Sequence, residues 1–199
     1  MSQATDYLWR FFEPVLGPIG TAALMGNIRA ESAFIPRNLQ NSYEKKLGFN
    51  DDTYTAAVDS GAYSREAFAR DCAGYGLVQH TYWSRKQGLY DYCKAASLSI
   101  GSVEGQSGFI LKELDAYGLT AKLRGMGDLR AATELILKQY EKPADQSDAA
   151  VTRRTKYAQE ILDVYYRPVT EKPDLRHQIE ALYLIQDQIG QIIEHLKEV

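Results

Sequence analysis

Two cysteines in 199 residues are too few for a disulfide framework, and the neighbours of Cys72 and Cys93 do not resemble metal-ligand spacing. A reduced compartment, or indifference to redox state, is the expectation. Basic excess is also missing: 23 Lys and Arg stand against 26 Asp and Glu, a formal charge of -3. That excludes the electrostatic footprint of a nucleic-acid binder. No apolar run approaches the ~20 residues needed to cross a bilayer. The amino terminus, Met1 to Asp6, is polar and acidic rather than basic and then apolar, so no secretory signal is expected, and action outside the cell of synthesis would need another means of delivery. Alternating, strand-like runs are scarce. No cofactor fingerprint and no metal site are visible.

What remains is 45% hydrophobic and 25% charged sequence, enough for one sizeable core plus something small. Apolar positions recur three and four apart over Asp6 to Leu16, Pro18 to Ser32, Thr81 to Ser97, Val103 to Tyr117, Leu129 to Glu141 and Asp148 to Tyr166, which predicts an all-α chain. Pro18 after Gly17 suits the first turn of a helix, and Asp128 suits an N-cap. Between Phe34 and Gly74 the periodicity weakens, and this stretch is expected to be loop-rich and substrate-facing. A proline-bounded break at 167–173 divides a domain at 1–166 from a segment at 174–199. In that segment Leu175, Leu182, Ile189 and Leu196 repeat every seven residues, with Ile185, Ile192 and Val199 at the companion position. Such a helix either docks as a last element or joins two copies or a further module. The narrow 3.5-residue seam favours the second.

One carboxylate stands out. Glu31 closes the run Pro18 to Ser32 and shares a helical face with Leu24 and Ile28, Asn27 lying one turn before it. On an apolar face the carboxyl would lose solvation as an anion, so its pKa is expected to rise, as a general acid requires. It also lies near the C-terminal end of its helix, where the macrodipole disfavours negative charge. Breaking a local rule in this way is a mark of function.

Further along comes Ala73-Gly-Tyr-Gly-Leu-Val-Gln79, followed by His80-Thr-Tyr-Trp-Ser-Arg-Lys86. Two glycines around Tyr75 allow close approach of backbone to a ligand, and Gln79 can donate to and accept from a sugar. Tyr82 and Trp83 are expected cleft aromatics, whereas Tyr90, Tyr92, Tyr157, Tyr165 and Tyr166 fall at helical spacings and belong to core or rim. His177 and His195 fall outside the heptad seam and are expected to be solvated.

Met25 to Pro36, Asn38 to Gly48 and Gly74 to Lys86, in that order, resemble the phage tail-tip lysozymes, relatives of goose-type lysozymes and soluble lytic transglycosylases. Gly108 to Leu114, Tyr140 to Pro143 and Arg153-Arg-x-x-Tyr-Ala158 are similar to the later helices of that family, so the resemblance runs from Leu16 to Tyr166. It implies a lysozyme-like fold and cleavage of the β-1,4 glycan strand of peptidoglycan, with Glu31 as general acid. It also implies substrate contacts from Tyr75 and Gln79, and Tyr82, His80 and Asn41 are expected to touch substrate beside them. His80 stands where related sequences commonly carry tryptophan, and is expected as a substituted platform residue. A second carboxylate is needed if water is activated on the opposite face of the sugar. Asp71 is the best placed, ahead of Glu44, Asp51 and Asp52, although capping of its own loop is an equal reading. A lytic transglycosylase, a glucosaminidase, or a non-catalytic glycan-binding or tail-structural protein are the alternatives. The setting implied is a phage endolysin or tail-associated lysin acting on a Gram-positive wall.

Overall fold

The computed structural model describes residues 3–166 and, beyond them, Gln186. The heptad segment and the proline-bounded break therefore lie outside the described residues. Within them the chain is helical almost throughout, as the apolar spacing predicts.

The first helix, α1 (Gln3–Ser32), is two helices merged across a kink. Gly17 sits at φ 70°, ψ 169°, and Pro18 has no N–H to continue the ladder, so the break falls where the sequence placed it. Every residue from Gly20 to Ile28 is buried. A helix buried on all sides is a central one. Around it pack α6 (Val103–Ala116), α7 (Thr120–Arg124), α8 (Leu129–Ile136) and α9 (Asp148–Tyr165), giving a core that joins Leu24, Met25 and Ile28 to Ile110, Leu114, Leu123, Ile136 and Ile161.

Residues 34–74 differ from expectation. They hold three short helices, α2 (Asn41–Leu47), α3 (Asp51–Ser60) and α4 (Arg65–Arg70), rather than open loop. Each is too short to show a full apolar stripe, so periodicity missed them, but their caps are local. Asn50 and Thr53 form a reciprocal capping box, and Ser64 accepts from the Ala67 N–H. These helices and α5 (Trp83–Ala95) close over a second core of Leu39, Tyr54, Val58, Phe68, Tyr75 and Leu89. Helix α6 serves both cores, Phe109 facing one and Ile110 with Leu114 the other.

What extended pairing exists is minimal: isolated antiparallel bridges join Leu39 to Tyr75 and Tyr75 to His80. This patch is fastened by Gln106 of α6, whose Oε1 accepts from the Leu77 N–H (2.7 Å) and whose Nε2 donates to the Pro36 (2.5 Å) and Ile100 (2.7 Å) carbonyls. Gly76 is required here: its φ is +81°, and a Cβ would lie 2.5 Å from Gln106 Oε1.

Candidate active site

The last turn of α1 carries Glu31, and the side chain that meets it comes from the last described helix. Arg154 of α9 donates from Nη2 to Glu31 Oε1 (2.5 Å) and from Nη1 to Asn27 Oδ1 (3.2 Å). Asn27, fully buried, donates in turn to the Ala23 carbonyl (2.9 Å) and, across to α8, the Thr133 carbonyl (3.3 Å). The approach of α9 depends on Gly26, where a Cβ would lie 2.7 Å from the Arg154 carbonyl oxygen and 2.8 Å from Ala158. The setting of Glu31 thus departs from the sequence expectation. Its side chain, 18% exposed, is met by a guanidinium rather than by apolar groups. Arg154 also supplies the cation that the C-terminal end of a helix favours.

Helix α8 runs on into a π-helical segment, Leu137–Glu141, and stops at Lys142 (φ 51°, ψ 47°) before Pro143. This turn carries two buried groups. The Tyr140 hydroxyl donates to Glu113 Oε2 (2.7 Å), while Glu141 Oε1 is sealed from solvent with no hydrogen-bond partner. Burial, and then the nearby charge of Glu31, push the Glu141 carboxyl up to about 8. Arg85 and Arg154 oppose that rise without cancelling it. At neutral pH Glu141 therefore carries a proton.

Glu113 of α6 is the hub beside it. It accepts from both Nε (2.8 Å) and Nη2 (2.9 Å) of Arg85, from His80 Nε2 (3.0 Å) and from Tyr140. Burial alone would raise its pKa, but the hydrogen bonds from Arg85 and His80 hold it well below the usual carboxylate range. His80 is itself fully buried and tilted against Phe109. Burial and then the charge of Arg85 lower its pKa, so the ring is neutral at pH 7, Nε2 donating to Glu113.

A cleft of about 420 Å³ opens over this cluster, lined by Gln79, Tyr82, Arg85, Tyr117, Tyr140 and Glu141 among others. Thr81 and Tyr82 also line a second hollow of about 490 Å³ with Arg70, Cys72 and Trp83. Tyr82 and Trp83 form the exposed ridge shared by this surface, 63% and 45% accessible, with their rings 6.0 Å apart. Glu141 belongs to two neighbourhoods, since it lines the first cleft and feels the charge of Glu31.

Of the residues expected to touch substrate, Tyr82 and Gln79 reach the cleft. Gln79, at φ 47°, spends its amide N–H groups on the Asn38 (3.0 Å) and Gly76 (3.1 Å) carbonyls and so holds the turn. Tyr75 is fully buried with its hydroxyl 2.6 Å from Thr55 Oγ1, and it packs in the core rather than offering a face to sugar. His80 is likewise no platform, because the turn folds inward onto Glu113. Asn41 begins α2 at the surface and lines neither hollow.

Asp71, the favoured second carboxylate, is held inside by an ion pair with Lys86, a hydrogen bond from Tyr54 and the Ala73 N–H (2.9 Å). The side chains of Lys86 and Asp71 are 0% and 2% exposed, and Lys86 also donates to the Tyr54 hydroxyl (3.1 Å) and the Ala73 carbonyl (2.9 Å). That arrangement fastens the loop and presents no oxygen to a substrate. Asp51 accepts from the Leu39 N–H (2.8 Å), and Asp52 pairs with Arg37 (2.8 Å) in solvent. Glu44 lies in the first turn of α2. None of these three lines either hollow. Sequence reasoning missed Glu113, Glu141, Arg85 and Arg154. For Glu113 a signal existed, an acid at the buried face of α6 between Ile110 and Leu114.

A mostly helical domain built around a buried central helix, whose last turn carries a carboxylate, is that of the lysozyme-like class. Residues 4–165 match the phage tail lysozyme family, and the chain belongs to it. No curated protein and no solved structure matches the chain. Family membership makes this a phage lysozyme-like protein acting on peptidoglycan, in keeping with a virion tail or a phage lysin.

Proposed function

We propose that the protein is an N-acetylmuramidase that cleaves the β-1,4 glycan strand of a Gram-positive wall, as an endolysin or tail-associated lysin, with Glu31 as general acid. The observation that carries this reading is the placement of Glu31. A part-exposed carboxyl ends the central helix of a phage tail lysozyme domain, within the electrostatic reach of a cleft-lining carboxyl. The Tyr82 and Trp83 ridge supplies apolar faces on which pyranose rings can rest, and Gln79 and Arg85 supply polar edges.

Glu31→Gln keeps the shape and the hydrogen bond to Arg154 while removing the acid. It is expected to lower wall-clearing activity at least ~100-fold, measured as turbidity loss of purified walls. A non-catalytic glycan binder would show no such loss. The sequestration of Asp71 favours one second reading, a lytic transglycosylase in which the substrate's own C6 hydroxyl replaces water as nucleophile. Mass spectrometry of the digest separates the two. Reducing N-acetylmuramic acid ends with one added water support the muramidase, and anhydro-muramoyl ends the transglycosylase. Reducing N-acetylglucosamine ends would instead mark a glucosaminidase.

A further inference from the structure

The second hollow, beside the cleft, has a lining of different chemistry. Its walls are Ala69, Cys72, Tyr82 and Trp83, and Arg70 is the one charged group among the described residues that line it. Thr81 and Tyr82 line both hollows, so the two meet at the aromatic ridge. The Thr81 hydroxyl is spent on the Gln79 carbonyl (2.9 Å) and the Cys72 thiol on the Arg70 carbonyl (3.5 Å). A pyranose, with hydroxyls around its rim, would find few partners there. Arg70 is the exception. At the end of α4 its guanidinium lies 5.8 Å over the Trp83 ring, and its Nε donates to Glu66 one turn back. Both Nη groups are without a hydrogen bond among the described residues, on a side chain that is 66% exposed. Apolar walls with a planar cation at their edge suit a ligand that carries methyl groups and a carboxylate.

Resting on the reading of the cleft as the glycan site, we propose that the second hollow binds the acidic peptide stem of the wall, with Arg70 holding a stem carboxylate, so that the enzyme selects stem-bearing glycan. The stem hangs from the lactyl group on C3 of the muramic acid ring, and its first side groups, the lactyl and alanyl methyls, are apolar. A muramic acid ring resting on Tyr82 has the second hollow beside it, because the same tyrosine lines both. The methyls then lie against Ala69 and Trp83, and the acidic residue that follows reaches Arg70. Glu66 occupies only the Nε edge of the guanidinium, which leaves the two Nη groups for a forked contact with a carboxylate. Its charge also offsets part of the attraction, so the contact discriminates between substrates rather than anchoring one tightly.

The test gives the full chain two substrates at low salt, where an exposed ion pair is least screened: soluble glycan chains whose stems end in free carboxylates, and the same chains stripped of stems by an N-acetylmuramoyl-L-alanine amidase. Chromatography of the shortened chains yields kcat/KM whichever glycosidic bond breaks. The wild type is expected to favour stem-bearing chains at least ~10-fold, mostly through KM, from apolar contact and the ion pair together. Arg70→Gln should cut that ratio ~3- to 5-fold, as loss of one exposed ion pair does, and Arg70→Glu should cut it further. Amidating the stem carboxylates should bring the wild-type ratio down to that of Arg70→Gln and leave Arg70→Gln itself unmoved. Both rates come from one preparation, so a partly unfolded variant scales them alike and keeps its ratio. A wild-type ratio near one overturns the stem site, as does a ratio indifferent to Arg70→Gln. Equal slowing on both substrates in a folded Arg70→Gln would place a further sugar of the strand in the hollow instead, and also overturns it. Calorimetric binding of the two chains to Glu31→Gln should give the same preference in Kd. If the wild type cuts neither chain, the glycan-cleaving reading fails by itself, and the stem site stands or falls on that Kd preference and its loss in the Glu31→Gln, Arg70→Gln double variant.

Discussion

The same local rule, an acid on an apolar helical face, selects two residues of this chain. Glu31 follows Leu24 and Ile28 on α1, and Glu113 lies between Ile110 and Leu114 on α6. The first stays part-exposed beside a single guanidinium, whereas the second is enclosed by Arg85, His80 and Tyr140. Which of them is free for chemistry depends on partners more than 20 residues away. Asp71 shows the converse, for it sits beside a promising turn yet is consumed by Lys86. Asp71→Asn should destabilise the fold by about 3–5 kcal/mol in urea unfolding, since it leaves the buried Lys86 ammonium uncompensated. The pH limbs of activity of the remaining folded enzyme should not move.

Stability should also depend on pH through these same groups. Glu113 titrates lower in the folded chain than its ordinary value of 4.5, and His80 lower than 6.5. Between its two values each group binds more protons unfolded than folded. Their stabilisation is therefore complete only above the unfolded values, and is lost as pH falls below about 6.5 and then below about 4.5. Glu141 has the opposite sign. Raised from 4.5 to about 8, it favours the fold fully below 4.5, and that contribution drains away as pH rises through 8. Calorimetry of Glu141→Gln should show the alkaline decline reduced, its Tm between pH 5 and 8 falling at least ~4 °C less than that of the wild type.

At the scale of elements, the setting of Glu31 rests on how closely α9 lies against α1. Gly26 sets that approach, and Arg29 locks its outer edge through Glu160 (2.6 Å) while its guanidinium lies 4.3 Å over the Tyr157 ring. Gly26→Ala would place a Cβ against backbone atoms that cannot swing aside. It should cost about 1–3 kcal/mol by forcing the helices apart. Because Arg154 moves with α9, wall-clearing activity should fall further than residual folding explains, measured at a temperature where the variant is fully folded. The long helices were legible because each shows several turns of one face. The helices α2, α3 and α4 were not, since a helix of one or two turns has too few positions for a period to appear. The π-helical turn left a partial sign, because Lys142-Pro143 reads as a helix stop but says nothing of how the preceding turn widens.

For the whole molecule, two cores share α6, and the cleft lies over residues drawn from α5, the Gln79 turn and the π-helical segment. Among the described residues no helix is long and apolar enough to cross a membrane. The heptad pattern of 174–199 predicts self-association through Leu182, Ile185, Ile189 and Ile192. Light scattering of the full chain against one ending at Pro168 checks this, and the shorter chain should be the smaller assembly. An equal number of copies in both would make the seam intramolecular.

By itself the sequence determined the helical class, the kink at Gly17 and Pro18, the position of Glu31 at the end of a buried helix and the order of motifs that marks the family. All of these are written in short-range spacing, because turn, cap and period act over a few residues. Only tertiary structure decided that Arg154 meets Glu31, that Tyr75 and His80 turn inward, that Asp71 is spent on Lys86 and that Glu141 reaches the cleft unpartnered. Those outcomes depend on which groups the fold brings together across separations from 15 residues, for Asp71 and Lys86, to 123, for Glu31 and Arg154. Across such separations burial and neighbouring charge, rather than residue type, drive the Glu113 and Glu141 carboxyls in opposite directions.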